Sequence, residues 1–514
     1  MSTLRRPATT VLPVEVVRRL EVFAMDGLPD FALMLRAATA IAVQAGGMLR
    51  EITGRVTGSR VVLLVGSGDN GGDALFAGAR LASRGARVDA LLIGPRHHLA
   101  GGAALVSAGG RLHPVRVGDL DAADLVAQAD LVVDGVLGIG GRGGLRDPAA
   151  WLAAVARETD VAVLAIDLPS GVDADTGHVA DPDSVVRADR TVVLGALKPG
   201  LLLGDGAACA GELAVVDIGL DLDDVPDDEV LVRVDADAAA AVLDRPDPSD
   251  DKYSRGVVGV SAGSPGYPGA AVLSVAGARH GLAGYVRYAG HVASAVVAAY
   301  PDVVARAGGP AEAGRVQAWV VGPGRGTDPE AAAAVLDALA LDVPVLLDAD
   351  ALTLLATDDA VRDAVRDRDA VTVLTPHAGE FARLSGSPVG PDRVAQVRAL
   401  AADLGAVVLL KGSTTVVASP SGSAYVVVSG PAELATAGSG DVLAGLAGSF
   451  LAHDEAVAPL DDDLAAALVA VAAYVHGVAG SLAADGGRTI TSPDVAAAVP
   501  AAIARLRQAP SATA

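Results

Sequence analysis

Cysteine, lysine, asparagine and aromatic residues are all scarce in this 514-residue chain. Cys209 is the sole cysteine, which rules out an intrachain disulfide and suits a reducing cytoplasm. Aromatics make up only 3% of the chain, so cores must be built from Ala, Val and Leu, and a hydrophobic share of 51% is ample for that. The net charge of −23 argues against a nucleic-acid groove and against an anionic membrane surface. Anionic ligands then need local backbone and helix-end sites. Met1 to Pro13 has no apolar core of signal-peptide length. Leu464 to Gly480 is apolar but contains His476 and is short for a span, so a buried helix is expected there. A cytoplasmic location follows as the expectation.

Basic charge is carried almost entirely by Arg. Lysine occurs only at Lys198, Lys252 and Lys411, and asparagine only at Asn70. A chain that uses Arg for ordinary surface charge keeps Lys where a compact cation is wanted. All four rare residues fall in glycine-rich or turn-like motifs. The length suits two or three domains.

Val16 to Leu49 reads as two helices around Asp26-Gly27-Leu28-Pro29. Arg60 to Val65 is a continuous apolar run, as in a buried parallel strand. It leads into Gly66-Ser67-Gly68-Asp69-Asn70-Gly71-Gly72-Asp73 and a helix expected from Ala74 to Arg84. Further strands are expected over Val88–Ile93, Asp130–Asp134, Val161–Ile166 and Thr191–Leu194. Four of these strands end in loops that combine glycine with Asp, Asn, Ser or Lys. In an open parallel sheet such ends share one edge, where ligands bind. The first loop has neither dinucleotide G-x-G-x-x-G spacing nor that of a P-loop. A single Asp at a strand end is usually a helix cap; four convergent loops point to a site.

The set GSGDNGGDA, DGVLGIGGRGG, DLPSGVDADTG and ALKPG resembles NAD(P)H-hydrate epimerases, over about Val16 to Asp221. That family inverts C6 of hydrated NADH or NADPH. The resemblance implies a potassium ion on Asn70, Asp134 and Ser170, hard oxygen ligands of the kind an alkali cation takes. It implies substrate contacts from Asp69, Asn70, Gly71, Gly72 and Asp73, from Gly138, Ile139, Gly140, Gly141, Arg142, Gly143 and Gly144, and from Asp167. Asp167 is the preferred proton-transfer residue, and Lys198 is a weaker candidate for pairing with a phosphate.

Leu220 to Asp251 is acidic and carries Pro226, Pro246 and Pro248, with one short strand candidate over Val230–Val234. A domain boundary is expected here, giving domains at 1–222 and 228–508. Beyond it the strand–helix alternation resumes. Strand ends are expected at GPGRG (Gly322–Gly326), at Asp348-Ala349-Asp350, at TPHAGE (Thr375–Glu380) and at LKGSTT (Leu410–Thr415). Thr436 to Gly445, TAGSGDVLAG, joins an irregular segment to an apolar helical pattern. A glycine turn at a helix N-terminus holds phosphate, and Asp441 at its lip can take a proton from an attacking hydroxyl. The plainer reading makes Asp441 a first-turn helix residue. His377 can likewise merely cap a helix, and Lys411 can be a solvated charge.

These motifs, over roughly Leu231 to Leu506, resemble ADP-dependent NAD(P)H-hydrate dehydratases of ribokinase-like fold. The resemblance implies nucleotide contacts from Lys411, Gly412, Ser413, Thr414, Thr415 and Gly440. It implies contacts to the hydrated dinucleotide from Ala270, Gly324, His377 and Asp441, with Mg²⁺ on the ADP phosphates. The expected protein is therefore α/β throughout, a Rossmann-like three-layer domain followed by a ribokinase-like one. Its partners are NADHX or NADPHX and ADP, with no nucleic acid or membrane, and it forms a homo-oligomer. Competing readings are a small-molecule kinase of the ribokinase class and a non-catalytic nucleotide-binding scaffold.

Overall fold

The computed structural model describes residues 8–243, 245 and 247–508. The chain divides into two compact units, one running up to Val230 and the other from Leu231.

In the first unit seven strands form one sheet: β1 (Arg60–Val65), β2 (Arg87–Leu92), β3 (Arg111–Pro114), β4 (Leu131–Gly135), β5 (Val163–Ile166), β6 (Arg190–Leu194) and β7 (Glu212–Val216). All are parallel, in the order 3-2-1-4-5-6-7. This is the doubly wound dinucleotide order with one strand added. β4 is buried along its whole length and β1 at every position after Arg60, because helices cover both faces. Two cores of Ala, Val, Leu and Ile fill the spaces on either side. The strand order reverses between β1 and β4, so a crevice opens where Asn70 and Asp134 lie.

The sequence places Asp69–Asp73 in a loop, but the structure begins the helix at Asp69, running to Ser83. Asn70 and Asp73 are thus three residues apart on one helical face. Glycine makes this close seating possible: a Cβ on Gly71 would lie 2.1 Å from the carbonyl oxygen of Gly66. The edge strands β3 and β7 have no counterpart among the sequence-based strands.

In the second unit β8 (Leu231–Arg233), β9 (Val257–Ser261), β10 (Tyr285–Ala289), β11 (Val304–Arg306), β12 (Ala318–Val321), β13 (Val345–Leu347), β14 (Thr372–Leu374), β15 (Val407–Leu410), β16 (Thr415–Ala418) and β17 (Ala424–Val427) belong to one mixed sheet. The order is 8-17-16-15-14-13-12-9-10-11. From β15 to β11 every pairing is parallel, while β16 pairs antiparallel with both β15 and β17. The carboxyl ends of β9, β12, β13, β14 and β15 therefore share an edge. The helix Ser439–Val457 packs on the helix Pro268–His280 at near backbone contact. A Cβ on Gly445 would lie 1.9 Å from the Ser274 carbonyl oxygen, and one on Gly277 2.0 Å from that of Val442. That contact fixes the start of the Asp441 helix over the sheet edge.

Among the described residues two helices, Ala32–Thr53 and Asp462–Ala483, are long and apolar enough to cross a membrane. Each packs within its own unit, the first on the helix Asp69–Ser83 and the second, largely buried, on the helix Ser492–Leu506.

Candidate active sites

At the β1/β4 crevice Asp134 is wholly buried. Its Oδ2 accepts from the Ser170 backbone N–H at 2.8 Å, and its Oδ1 from the Ser170 hydroxyl at 2.7 Å and the Val136 N–H at 3.2 Å. Burial pushes the Asp134 carboxyl up to about 6, against the pull of those hydrogen bonds, and no cationic side chain acts on it. Asn70 Nδ2 donates to the Ile166 carbonyl at 2.8 Å. Its Oδ1 lies over Gly138, where a Cβ would come within 2.4 Å. Asn70, Asp134, Ser170 and Gly138 are thus brought together.

Next to them Asp167 ends β5 with φ at +66°, a strained conformation for a residue with a side chain. Its Oδ1 accepts from the Leu194 N–H at 3.0 Å and from the Lys198 ammonium, which also donates to the Leu194 carbonyl at 2.9 Å. Lys198 has no exposed surface, so it is committed to Asp167 and is not free to reach a phosphate. Asp167 Oδ2 accepts no hydrogen bond from any described residue and remains available to a ligand.

A cavity of about 600 Å³ lies beside this pair, lined among others by Glu21, Phe31, Met34, Asp69, Asp73 and His98. Burial, then the charges of Asp167, Asp69 and Glu21, hold the Asp73 carboxyl well above the usual range. Asp73 Oδ1 is buried with no hydrogen-bond partner. The loop from Ile139 to Gly144 does not line this cavity and is largely open to solvent. Sequence reasoning missed Glu21, Phe31 and His98. The rarity of aromatics was the available signal, since Phe31 and His98 meet edge to face at 4.9 Å.

In the second unit Asp441 lies in the first turn of the helix Ser439–Val457, behind Gly438 at φ +83°. Burial pushes its carboxyl up to about 7, helped by Asp348 and Asp350 and opposed by Lys411. Lys411 Nζ is 2.7 Å from Asp348 Oδ1. Burial works against its charge, but Asp348, Glu380 and Asp441 outweigh this and hold its pKa above the usual value. A Cβ on Gly440 would lie 3.3 Å from Lys411 Nζ, so the β15 loop and the glycine turn face each other. Asp350 Oδ2 accepts from the Gly326 N–H at 2.8 Å, tying the GPGRG loop to the same edge. A Cβ on Gly324 would touch that of Ala270 at 2.7 Å.

His377 does cap a helix: its Nδ1 accepts from the N–H groups of Gly379 and Glu380 at 3.0 and 3.3 Å, and Glu380 returns the bond to the His377 N–H at 2.8 Å. The ring remains more than half exposed, which leaves a face for a ligand. Two further residues stand at this edge that the sequence marks only as part of a strand end and as a break in an apolar run. Asp348 pairs with Lys411, and its place at an acidic strand end was the signal. His476 is pushed down to about 4 by burial and so is neutral, with Nε2 3.3 Å from Ser439 Oγ in the glycine turn. The break it makes in an apolar run was the only sign.

Residues 258–500 match the profile of a family described as NAD(P)H-hydrate dehydratase, and residues 30–200 that of the YjeF-related protein N-terminus. The chain is 49% identical over 440 residues to a bifunctional NAD(P)H-hydrate repair enzyme of Mycobacterium tuberculosis, covering 85% of this chain and 88% of that one. It is 37% identical to the enzyme of the same name from Corynebacterium glutamicum, covering 96% and 98%. An ADP/ATP-dependent NAD(P)H-hydrate dehydratase from Bacillus subtilis matches 53% of this chain and 97% of its own, at 27% identity and a TM-score of 0.46. With two sheets each presenting a carboxylate-rich edge, and relatives of this identity aligned over both, the chain belongs to the family of bifunctional NAD(P)H-hydrate repair enzymes.

Proposed function

We propose that the first unit interconverts the R and S forms of hydrated NADH and NADPH at C6, and that the second dehydrates the S form at the expense of ADP. The carrying observation is Asp441, a carboxyl held near 7 at a helix N-terminus and facing Lys411 across a glycine turn. Hydroxide is a poor leaving group and phosphate a good one. Asp441 removes the C6 hydroxyl proton as that oxygen attacks the β-phosphorus of ADP, and AMP departs. The C6–O bond of the phosphorylated intermediate then breaks, C5 loses a proton, and the C5=C6 double bond is restored. Lys411 to Thr415 and Gly440 cradle the phosphates, while Ala270, Gly324 and His377 position the dinucleotide. Among the described residues no cluster of three or more His, Cys, Asp or Glu is arranged for a metal. Magnesium would ride on the ADP phosphates, whose charge it neutralises. Incubating NADHX with ADP and weighing the products tests the reading. Restored NADH with AMP and phosphate is expected; a stable phosphorylated alcohol would indicate a small-molecule kinase, and no change a binding scaffold.

In the first unit Asp167 is the proton-transfer group, oriented by Lys198 and Leu194 and presenting Oδ2. Asp69, Asn70, Gly71, Gly72 and Asp73, with the loop from Gly138 through Ile139, Gly140, Gly141, Arg142 and Gly143 to Gly144, bind the dinucleotide. The donor set fits a potassium ion: Asn70 Oδ1, the Asp134 carboxylate and Ser170 Oγ are all oxygens, and Asp134 is buried without a cationic partner. When bound, the ion supplies that missing positive charge. Replacing Asn70 or Asp134 by Ala is expected to slow epimerisation about tenfold or more and to remove its dependence on potassium. Indifference of the wild-type rate to replacing potassium with a bulky organic cation would remove the case for the site.

The reactions should also be separable. A fragment ending near Asp223 is expected to epimerise without dehydrating. One starting near Asp228 keeps β8 and is expected to consume S-NADHX while R-NADHX accumulates, once spontaneous epimerisation is subtracted. Equal initial rates on the two forms by the second fragment would contradict this division of labour.

A further inference from the structure

Arg393 is the first residue of the helix Arg393–Leu404. A cation is poorly placed there, because the helix dipole is positive at that end. The guanidinium nonetheless reaches over the β15 loop: a Cβ on Gly412 would lie 2.8 Å from Arg393 Nη2. Arg393 Nε is buried without a hydrogen-bond partner. No described residue forms an ion pair with this side chain, and burial alone, with no carboxylate acting on it, lowers its pKa. Gly412 and Ser413 beneath it are exposed. Lys411, in contrast, is already paired with Asp348. An acidic chain of net charge −23 has thus left an unneutralised guanidinium directly over an open loop. Such a group is completed by an anion, and the planar guanidinium fork matches phosphate oxygens.

We propose that Arg393 is a phosphate-binding residue for the nucleoside diphosphate, closing over Gly412 and Ser413 opposite Lys411. This rests on the β15 loop being the nucleotide site. Arg393 takes no part in proton transfer and positions the ADP. Lys411 balances Asp348 and Asp441, and Arg393 supplies the positive charge that the incoming phosphates lack.

Arg393→Ala and Arg393→Lys in the full chain are measured for S-NADHX dehydration with ADP and S-NADHX varied separately, and by calorimetric titration with ADP and with AMP. Arg393→Ala is expected to weaken ADP binding and raise its KM by about 10- to 100-fold, the usual loss for a charge-assisted hydrogen bond. The KM for S-NADHX and the epimerisation rate stay close to wild type, and Arg393→Lys recovers part of the loss. Weaker binding of ADP and AMP alike places the contact on the α-phosphate; weaker binding of ADP alone places it on the β-phosphate. Unchanged ADP affinity overturns the proposal, as does a loss that falls equally on both substrates together with a lowered melting temperature. Failure of the wild-type chain itself to bind either nucleotide would instead overturn the nucleotide-site reading beneath it.

Discussion

Asp441→Asn is expected to lower dehydration of S-NADHX by about 10²–10⁴-fold, the usual cost of losing a general base, while epimerisation continues. The substitution keeps the shape of the side chain and removes only its capacity to accept a proton. Asp441 is raised to about 7 by burial and by the neighbouring charges of Asp348 and Asp350. A base acts in its deprotonated form, so wild-type kcat/KM should climb with pH and level off above about 7. The residual rate of the variant should lack that rise. Stability separates this role from a purely structural one. A carboxyl whose folded pKa is raised binds its proton more tightly when folded; that contribution is complete below the unfolded value and is lost as pH rises through about 7. Ionised Asp441 is therefore a strain on the fold at neutral pH, and the Asn variant should melt no earlier than wild type. Near-normal NADH recovery by the variant would sink the assignment; a large drop in melting temperature would show that Asp441 serves the helix start instead.

How much of this was legible in the sequence depends on the range of the forces involved. The central parallel strands β1, β4, β5 and β6 stand out because burial on both faces makes them mostly apolar, each followed by a glycine-bearing turn. Edge strands do not: β3 and β7 are only partly buried along their length and start with Arg111 and Glu212, which face solvent. The helix begins at Asp69, earlier than the sequence pattern suggests, because its first residues include helix-averse Gly and Asp and are held in the helix by close contact with Gly66. The candidate site residues divide in the same way. Asp441, Lys411, Asn70 and Asp134 were visible through local motifs. The bonds from Lys198 to Asp167, 31 positions away, and from Lys411 to Asp348, 63 away, are products of strand order and leave no local trace.

The Lys198–Asp167 pair carries the other large expected effect. Lys198 is fully buried and Asp167 nearly so. Lys198→Met leaves the Asp167 carboxylate without its counter-charge and should destabilise the first unit by about 3–5 kcal/mol, as should Asp167→Asn, which strands the ammonium. The double variant removes both charges. Since a buried ion pair is often no more stabilising than apolar side chains of similar size, it should regain most of the stability lost by either single change. Epimerisation should not return with it, because the proton-transfer oxygen is gone. Trp151 and Trp319, the two tryptophans, lie in different units. On a Trp319→Phe background, fluorescence of Trp151 during urea unfolding therefore reports on the first unit alone. If Lys198→Met unfolds at the wild-type urea concentration, the pair is not what holds β5 and β6 at this edge. If the double variant is folded and epimerises at near the wild-type rate, Asp167 is not the proton-transfer group and the proton is moved by another carboxyl of the cavity, with Asp73 the first to test.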